Sequence, residues 1–287
     1  MPELPEVEVL KRTLSKFIVN STIKRVKINN DNLRYKLPKN FKHVITNKRI
    51  IKINRRSKYL LIIFSDNSCL LIHLGMSGFI YLQKLKKKLI NTSFYYKKNI
   101  LKKHNHVTMY LNSDFILVYN DIRRFGFMKY FRKQFVYKNN FLSKLGPEPL
   151  SKKFNVKYLK AVAKKRKINI KTFLMDQTIV SGLGNIYVNE ALFYSKINPL
   201  ALCNSIKEQK LIVLIKNIKK VLIKSIKFGG SSIKNYTRIT GQKGSFQQKF
   251  MVYNRDNLSC KRQNCKDIIK NIRISYRSSF YCPSCQE

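Results

Sequence analysis

The chain has 287 residues, and its 59 Lys and Arg residues outnumber 14 Asp and Glu residues, which gives a formal net charge of +45. Hydrophobic residues make up 44% of the sequence, so the chain can bury a core and is not a wholly disordered basic tail. At this length two domains are expected rather than one. The charge requires an anionic partner but does not by itself identify that partner.

Membrane insertion is not expected. The longest apolar runs, such as 59–64 and 211–215, are far shorter than the roughly 18 residues of a membrane-spanning helix. The N-terminus is acidic and is interrupted by Pro2 and Pro5, unlike the basic leader and apolar stretch of a secretory signal. We therefore expect a cytoplasmic protein.

The first half of the chain is predicted to form a helix followed by a β-sandwich. Val7, Leu10, Leu14 and Ile18 recur at helical spacing just after a proline, which is typical of an N-terminal amphipathic helix. From about residue 23 to 131, turn residues separate short β-branched and aromatic runs. These runs are 50–53, 59–64, 69–73, 107–111 and 115–119. Segment 84–103 contains eight lysines and no acid, which predicts a mobile surface insertion.

The second half is predicted to be mainly helical. Two prolines beside Gly146 favour a linker, because they stop both a helix and a strand ladder. Helical periodicity follows at 158–165, 170–175, 186–195 and 211–226. The fold class is therefore predicted to be α+β. The predicted limits are an N-terminal domain at 1–135, a linker at 136–151, a helical domain at 152–245 and a cysteine-rich module at 246–287.

Four of the six cysteines lie close together at the C-terminus, with the spacing Cys-x4-Cys-x16-Cys-x2-Cys. They are Cys260, Cys265, Cys282 and Cys285. Two knuckles joined by a hairpin suit one tetrahedral, structural Zn²⁺. Two disulfides are the alternative, although a reducing compartment disfavours them. Cys69 and Cys203 lie alone in apolar surroundings and are expected to be small core residues.

The N-terminal Pro2 is a candidate nucleophile. Removal of the initiator Met1 would expose a secondary amine with a pKa of roughly 8, so part of it is neutral near pH 7. Such an amine attacks carbonyl-like carbons. The Glu3 carboxyl group could donate a proton to the leaving site, and Glu6 is near enough to tune Glu3. The alternative is that proline and glutamate only begin the first helix.

The sequence resembles the formamidopyrimidine-DNA glycosylase family. The matching segments are PELPEVE at 2–8, RRSKYL at 55–60, HLGMSG at 73–78, RRFG at 123–126, GLGNIY at 182–187 and the cysteine module. These motifs occur in the family's order and extend over nearly the whole chain, leaving out mainly 84–103. The resemblance implies an N-terminal β-sandwich that is catalytic, and a helical domain with a helix-two-turn-helix and a zinc-finger β-hairpin.

The resemblance also implies a catalytic set. Pro2 attacks the anomeric carbon of a flipped damaged nucleotide, Glu3 protonates the sugar as its ring opens, and Lys58 assists at the active site. A Schiff base forms, and elimination expels first one phosphate and then the other. Arg277 binds the target phosphate and helps the second elimination. Taken alone, Lys58 could be a solvated basic strand end and Arg277 an exposed turn charge.

Six further residues are implied to bind DNA. Met76 fills the vacated stack, Arg123 faces the orphaned cytosine, and Phe125 wedges alongside, which fits the general use of apolar wedges when a base is extruded. Asn185 lies in the helix-two-turn-helix loop, where it could also be a simple N-cap. The other two, His104 and Lys165, match family phosphate contacts, with Lys165 uncertain by one position. Core packing or a strand-end charge is the alternative for the wedge residues.

By the same resemblance, segment 231–245 corresponds to the loop that closes over the flipped-out purine in enzymes of this family. Three positions depart from the family pattern: Asn235 replaces a frequent acid, Ile122 replaces a frequent proline, and four residues rather than two separate Cys260 and Cys265. These departures put in doubt the local phosphate contacts and the geometry of the first knuckle, and they leave the catalytic residues untouched.

The function expected from the resemblance is a bifunctional glycosylase and abasic-site lyase of base excision repair, which removes 8-oxoguanine and formamidopyrimidines. The partner is double-stranded DNA that contains oxidised purines or abasic sites. The protein is expected to be a monomer in the bacterial cytoplasm, associated with the nucleoid through DNA. The alternatives are an endonuclease VIII-like enzyme for oxidised pyrimidines and a non-catalytic, basic, zinc-containing DNA-binding protein.

Overall fold

The computed structural model describes residues 2–84, 87–90, 100–231 and 246–287, with the backbone alone at 87–90. The chain divides into two compact units. Unit 1 contains Met1–Ser143 and Phe228–Gln247, and unit 2 contains Lys144–Lys227 and Gln248–Glu287. Each unit therefore combines two separate stretches of the chain, whereas the limits predicted from the sequence are contiguous; those limits stay a prediction.

Unit 1 is a β-sandwich with one long helix. Its helices are α1 (Leu4–Ile18) and the short α2 (Phe41–Ile45). Its strands are β1 (Ile23–Ile28), β2 (Ile50–Arg56), β3 (Tyr59–Phe64), β4 (Ser68–His73), β5 (Phe79–Lys84), β6 (Lys87–Ile90), β7 (Asn105–Leu111), β8 (Phe115–Asn120) and β9 (Phe127–Arg132). They form two antiparallel sheets, in the orders β1-β7-β8-β5-β6 and β2-β3-β4-β9.

One apolar core joins α1 to both sheets. The helix contributes Val7, Leu10, Leu14 and Ile18, which the sequence periodicity placed on one face. The facing strands contribute alternate residues, such as Ile62 from β3 and Leu82 from β5. Burial of each such side chain contributes roughly 1.5–3 kcal/mol to stability. The core therefore fixes helix α1, and with it the N-terminal residues, in unit 1. The predicted sandwich and N-terminal helix are confirmed.

Unit 2 is helical and carries a hairpin. Its helices are α3 (Val156–Lys164), α4 (Ile170–Met175), α5 (Asn185–Tyr194) and α6 (Glu208–Lys227), and its strands are β10 (Lys270–Ile274) and β11 (Arg277–Tyr281). Helix α5 is buried along eight consecutive residues, Ile186 to Phe193, and so it forms the centre of this unit. Helix α6 buries the predicted stripe that includes Leu211, Leu214 and Ile218.

The lysine-rich segment 84–103 differs in part from its prediction as a mobile surface insertion. Lys87–Ile90 forms strand β6, which pairs with β5 at the edge of the sheet. Residues 85–86 and 91–99 lie outside the described residues, and so does most of the predicted lesion-capping loop, 232–245. Among the helices that the structure describes, none has the length and hydropathy needed to span a membrane.

Candidate active site and DNA interface

The N-terminal residues of unit 1 are held by the acidic side chains of α1. Pro2, Glu3 and Glu6 are buried. The Glu3 backbone N–H donates to Glu6 Oε2 at 2.9 Å, and Glu6 Oε1 accepts from the backbone N–H and hydroxyl of Ser231 at 2.8 and 3.0 Å. Glu6 therefore links the candidate acid Glu3 to the residue from which segment 232–245 starts.

Glu8 joins the same helix to the turn that carries Lys58. Arg55 Nε donates to Glu8 Oε2 at 2.9 Å, and the Arg55 guanidinium also donates to the Ser57 carbonyl at 3.0 Å. Burial acts to raise the pKa of Glu8, but hydrogen bonds from Arg55 and Arg12 and nearby positive charge lower it overall. Lys58 follows Ser57, whose φ of 55° turns the chain sharply, and its residue is only 6% exposed. Lys58 is therefore not the solvated strand end that its basic neighbours suggested.

Two loops of unit 1 present the candidate wedge. Met76 is 43% exposed and Phe125 is 42% exposed, which excludes core packing for both. The Arg123 guanidinium lies over the Phe125 ring at 4.4 Å, a cation–π arrangement that extends a flat, partly apolar surface. Beside them, a groove of about 510 Å³ is lined by three arginines (Arg34, Arg123 and Arg124), Phe125 and segment 32–33.

His73 supports the Met76 turn. The Gly75 backbone N–H donates to His73 Nδ1 at 3.2 Å, so this nitrogen must carry a lone pair. The ring stacks on Phe127 at 5.4 Å and contacts Tyr59. Burial, together with the charges of Lys58 and Arg34, lowers the pKa of His73 to about 4. The neutral imidazole is therefore the form that holds the turn near pH 7.

In unit 2, two polar side chains hold the strand that begins at Arg277. Asn185 Nδ2 and Lys171 Nζ both donate to the Ser278 carbonyl at 2.9 Å, and Lys171 also donates to Ser279 Oγ at 2.5 Å. Burial and the neighbouring Arg277 lower the pKa of Lys171 to about 8. The Arg277 side chain itself is exposed. Gly184 is the N-cap of α5, so the N-cap alternative for Asn185 is wrong, and its amide is available to fix the hairpin instead.

The four C-terminal cysteines form a candidate metal centre. Their sulfur atoms all lie within 4.8 Å of one another. The Sγ atoms of Cys260 and Cys285 are 3.9 Å apart, and those of Cys265 and Cys282 are 3.7 Å apart. A disulfide requires about 2.05 Å, so the disulfide alternative is wrong. Four sulfurs at 2.3 Å from one tetrahedral ion would lie about 3.8 Å apart, which agrees with these distances. The residues therefore fit a bound metal ion.

The two remaining candidates are peripheral within their units. His104 ends a short 3₁₀ helix, Lys102–His104, and is half-buried beside a cavity of about 200 Å³ that Phe79 and Ile122 also line. Lys165 is exposed at the C-terminal end of α3. Both positions are accessible to an anion.

Comparison with known proteins agrees with this arrangement. A family model described as the formamidopyrimidine-DNA glycosylase N-terminal domain matches residues 1–128, and one described as the H2TH domain of the same enzyme matches residues 145–237. The chain belongs to the formamidopyrimidine-DNA glycosylase family.

Relatives match along the whole chain. The formamidopyrimidine-DNA glycosylases of Dinoroseobacter shibae and Rickettsia bellii are each 40% identical to this chain, over 100% of both proteins. A Lactococcus lactis enzyme of this family, solved in complex with DNA containing an abasic site, is 34% identical with a TM-score of 0.88 over 99% of each chain. A variant of that enzyme bound to DNA containing Fapy-dG matches with the same TM-score and identity.

Membership of the formamidopyrimidine-DNA glycosylase family confirms the predicted fold and the expected class of enzyme. The roles of the individual site residues stay predictions. Within unit 1 the structure places Pro2 and Glu3 at the start of α1, Lys58 after β2, and the three wedge candidates on two adjoining loops. Within unit 2, Asn185 at the start of α5 hydrogen-bonds to β11, the strand that begins at Arg277.

Three residues that support candidate site residues were not found from the sequence: His73, which bonds to the Met76 turn; Asp121, which accepts from Ser77 and Arg123; and Lys171, which bonds to the strand that begins at Arg277. His73 belongs to the HLGMSG motif, and its position at the end of an apolar run was the available signal. Lys171 resembles any other lysine of a basic chain, and Asp121 lies beside the RRFG motif without a spacing that marks it. Only their burial and hydrogen bonds distinguish the last two.

Proposed function

We propose that this chain is a bifunctional DNA glycosylase and abasic-site lyase of base excision repair that acts on oxidised purines such as 8-oxoguanine and formamidopyrimidines in duplex DNA. The family membership of the whole chain is the observation that carries the proposal. Its partner is double-stranded DNA with an oxidised purine or an abasic site. The relatives solved with abasic-site DNA and Fapy-dG DNA support this choice.

The proposed chemistry begins at Pro2. Its secondary amine attacks C1′ of the damaged nucleotide, the glycosidic bond breaks and the base departs with a proton, which leaves C1′ bonded to both the Pro2 nitrogen and the ring oxygen O4′. Glu3 then supplies the proton with which O4′ leaves as the sugar ring opens, the iminium forms between the Pro2 nitrogen and C1′, and Lys58 assists beside it. Elimination then releases the 3′ phosphate and afterwards the 5′ phosphate. The short link from Glu6 to the Glu3 backbone supports this role, because it fixes the acid.

The remaining site residues are proposed to bind DNA. Met76, Arg123 and Phe125 enter the duplex, where exposed apolar groups can replace the extruded base. Asn185, Arg277, His104 and Lys165 contact phosphates. Within unit 2, the N-terminal end of helix α5 and the positive charges of Lys165 and Arg277 suit that ligand. The protein acts as a monomer in the bacterial cytoplasm, and its charge keeps it on the nucleoid.

The metal is proposed to be one structural Zn²⁺ held by Cys260, Cys265, Cys282 and Cys285. Four thiolates close the coordination shell, so the ion supplies folding energy to the hairpin and takes no part in the reaction. The domain limits 1–135, 136–151, 152–245 and 246–287 are retained as the proposed functional division of the chain.

The experiment that tests the function is borohydride trapping on an 8-oxoguanine:cytosine duplex, with products resolved on a denaturing gel. The wild-type chain is expected to give a covalent adduct and strand cleavage, and Pro2→Gly should lose or sharply weaken the adduct. Preference for thymine glycol would instead indicate the endonuclease VIII-like alternative. Binding without adduct or cleavage would indicate the non-catalytic DNA-binding alternative and overturn the proposal.

A further inference from the structure

A fully buried carboxylate, Asp121, lies between the two loops that carry the wedge candidates. Its residue is 0% exposed. Oδ1 accepts from the Ser77 hydroxyl at 2.5 Å and from the Arg123 backbone N–H at 3.3 Å. Oδ2 accepts from the Tyr119 hydroxyl and from the Gly126 backbone N–H, both at 2.9 Å. All four donors thus converge on one side chain.

These bonds connect elements that are distant in sequence. Ser77 belongs to the turn that presents Met76, whereas Arg123 and Gly126 flank Phe125 on the other loop. The Arg123 N–H also donates to Ser77 Oγ at 3.1 Å, so Ser77, Asp121 and Arg123 close a triangle of hydrogen bonds. The two loops are therefore cross-linked just beneath the exposed side chains.

The same loops are packed backbone against backbone. Gly75 has a φ of +64°, and a Cβ placed there would lie 2.4 Å from the Gly126 nitrogen and 2.4 Å from the Phe125 carbonyl carbon. A Cβ on Gly126 would lie 2.0 Å from the Tyr119 hydroxyl oxygen. The hydroxyl that donates to Asp121 therefore occupies the space that Gly126 leaves open. Because the two loops are in direct backbone contact, we expect them to move together.

We propose that Asp121 is a positioning residue that makes the Met76 turn and the Arg123–Phe125 loop act as one rigid wedge. It touches no substrate itself. Because the wedge must enter the stack as a unit, loosening either loop should impair extrusion of the damaged nucleotide before chemistry begins. This inference rests on the proposed function, since it concerns how that site opens duplex DNA.

Asp121→Asn is the informative change. An amide has one acceptor oxygen, so its NH2 group would face two of the four donors in either orientation. The shape of the side chain is kept, but the link between the loops is lost. The matched control is Asp114→Asn, because Asp114 is exposed in the β7–β8 turn and Asn tolerates its φ of 59°.

The decisive readout is the fluorescence of 2-aminopurine placed opposite the lesion in a duplex, which rises when the wedge opens the stack. The second readout is the single-turnover cleavage rate on an 8-oxoguanine:cytosine duplex. For Asp121→Asn we expect the fluorescence rise to be lost and the rate to fall between about 10-fold and 100-fold, as for a catalytic group displaced by about 1 Å. The salt-dependent affinity for undamaged duplex should stay close to that of Asp114→Asn, whereas the melting temperature should fall by several degrees because buried donors lose their acceptor. Both readouts are therefore taken well below the melting temperature of the variant.

A fluorescence rise and a cleavage rate equal to those of Asp114→Asn would overturn the inference. If Asp121→Asn does not fold, Ser77→Ala decides, because it removes only the hydroxyl that bridges Asp121 to the Met76 turn. Its rate should fall about 3-fold to 10-fold, in line with one lost hydrogen bond, and an unchanged rate would refute the role. Absence of cleavage by the wild-type chain is a separate result: it defeats the proposed function, whereas the fluorescence comparison still tests the wedge.

Discussion

At the level of single residues, the site depends on charged side chains that are removed from water. Lys58 follows two arginines and Lys171 lies in the largely apolar helix α4, and both are buried. Burial of an ammonium group lowers its pKa, as it does for Lys171, and a buried ammonium group is stable only where acceptors are provided. Lys171 finds these acceptors in the Ser278 carbonyl and the Ser279 hydroxyl. A folded structure is needed to identify such residues, because the acceptors lie more than 100 positions away.

His73 gives a pH prediction for stability. Its pKa in the folded state is lowered from 6.5 to about 4, so between these values the unfolded chain binds a proton that the folded chain does not. The part of the free energy of unfolding that depends on His73 should therefore be fully present above pH 6.5 and should be lost as the pH falls towards 4. The loss attributable to this group is about 3 kcal/mol at most, since one pKa unit corresponds to 1.36 kcal/mol.

The measurement is the free energy of unfolding in urea from pH 7.5 to 4, for the wild-type chain and for His73→Gln, which does not titrate. The difference between the two curves should shrink or reverse as the pH falls. His43→Gln is the matched control, because it removes an exposed histidine by the same substitution. Parallel curves for wild type and His73→Gln would contradict the assignment.

At the level of elements, the prediction from the sequence was best where one face of a helix or strand is apolar. Ile170–Met175 and Tyr59–Phe64 coincide with α4 and β3, because burial follows the local pattern in both. Strands β5 and β9 were missed as separate runs. Their sequences, FIYLQK and FMKYFR, combine aromatic residues with basic or polar ones, and pairing with β8 and β4 makes them strands.

Some candidate site residues could be recognised from the local sequence, and others only from contacts made in the folded chain. The motif residues could be named from the sequence because they share a family pattern, and the exposure of Met76 and Phe125 is compatible with the DNA-facing role proposed for them. Asp121 could not be named, since its function arises from donors at 77, 119, 123 and 126 that the fold brings together. Asn185 was read as a possible cap because the sequence does not reveal that Ser278 lies within reach of its amide.

The hairpin of β10 and β11 gives a prediction for metal removal. Its small core contains Phe280, Ile269 and Val252 beside Cys260 and Cys282, too few apolar groups to fold without a cross-link. Cys265→Ser should abolish zinc binding and unfold the hairpin. The melting temperature should then fall, and DNA binding should weaken. Titration with a mercurial and a zinc-sensitive dye should release about one ion per wild-type chain and about none from the variant.

Cys203→Ser is the matched control, since Cys203 is buried away from the cluster and donates to the Arg166 carbonyl at 3.2 Å. It should retain the ion. A full complement of zinc in Cys265→Ser would show that the four-sulfur arrangement does not hold the metal.

At the level of the whole molecule, a net charge of +45 must destabilise the folded chain through self-repulsion. The described ion pairs are few, and most of them are on the surface, where each contributes about 1 kcal/mol or less. Screening or neutralising the charge should therefore favour the folded state.

We expect added salt to raise the melting temperature, with duplex DNA raising it further at low ionic strength. Differential scanning fluorimetry at several chloride concentrations, with and without a short undamaged duplex, measures both effects. DNA affinity should decrease steeply over the same range because counterions are released on binding. A melting temperature that responds to neither salt nor DNA would contradict this account.

The positions of the six cysteines make it possible to label the chain at one introduced cysteine. Cys69 and Cys203 are buried, burial raises the pKa of Cys69 to about 12, and the other four thiols surround the proposed zinc. A cysteine introduced on the outer side of α6, for example Ile223→Cys at a position 57% exposed, would then be the one readily alkylated thiol of the chain. A maleimide dye placed there would label a single position without removing any native cysteine, so that the approach of DNA to unit 2 could be followed by fluorescence in an otherwise unaltered protein.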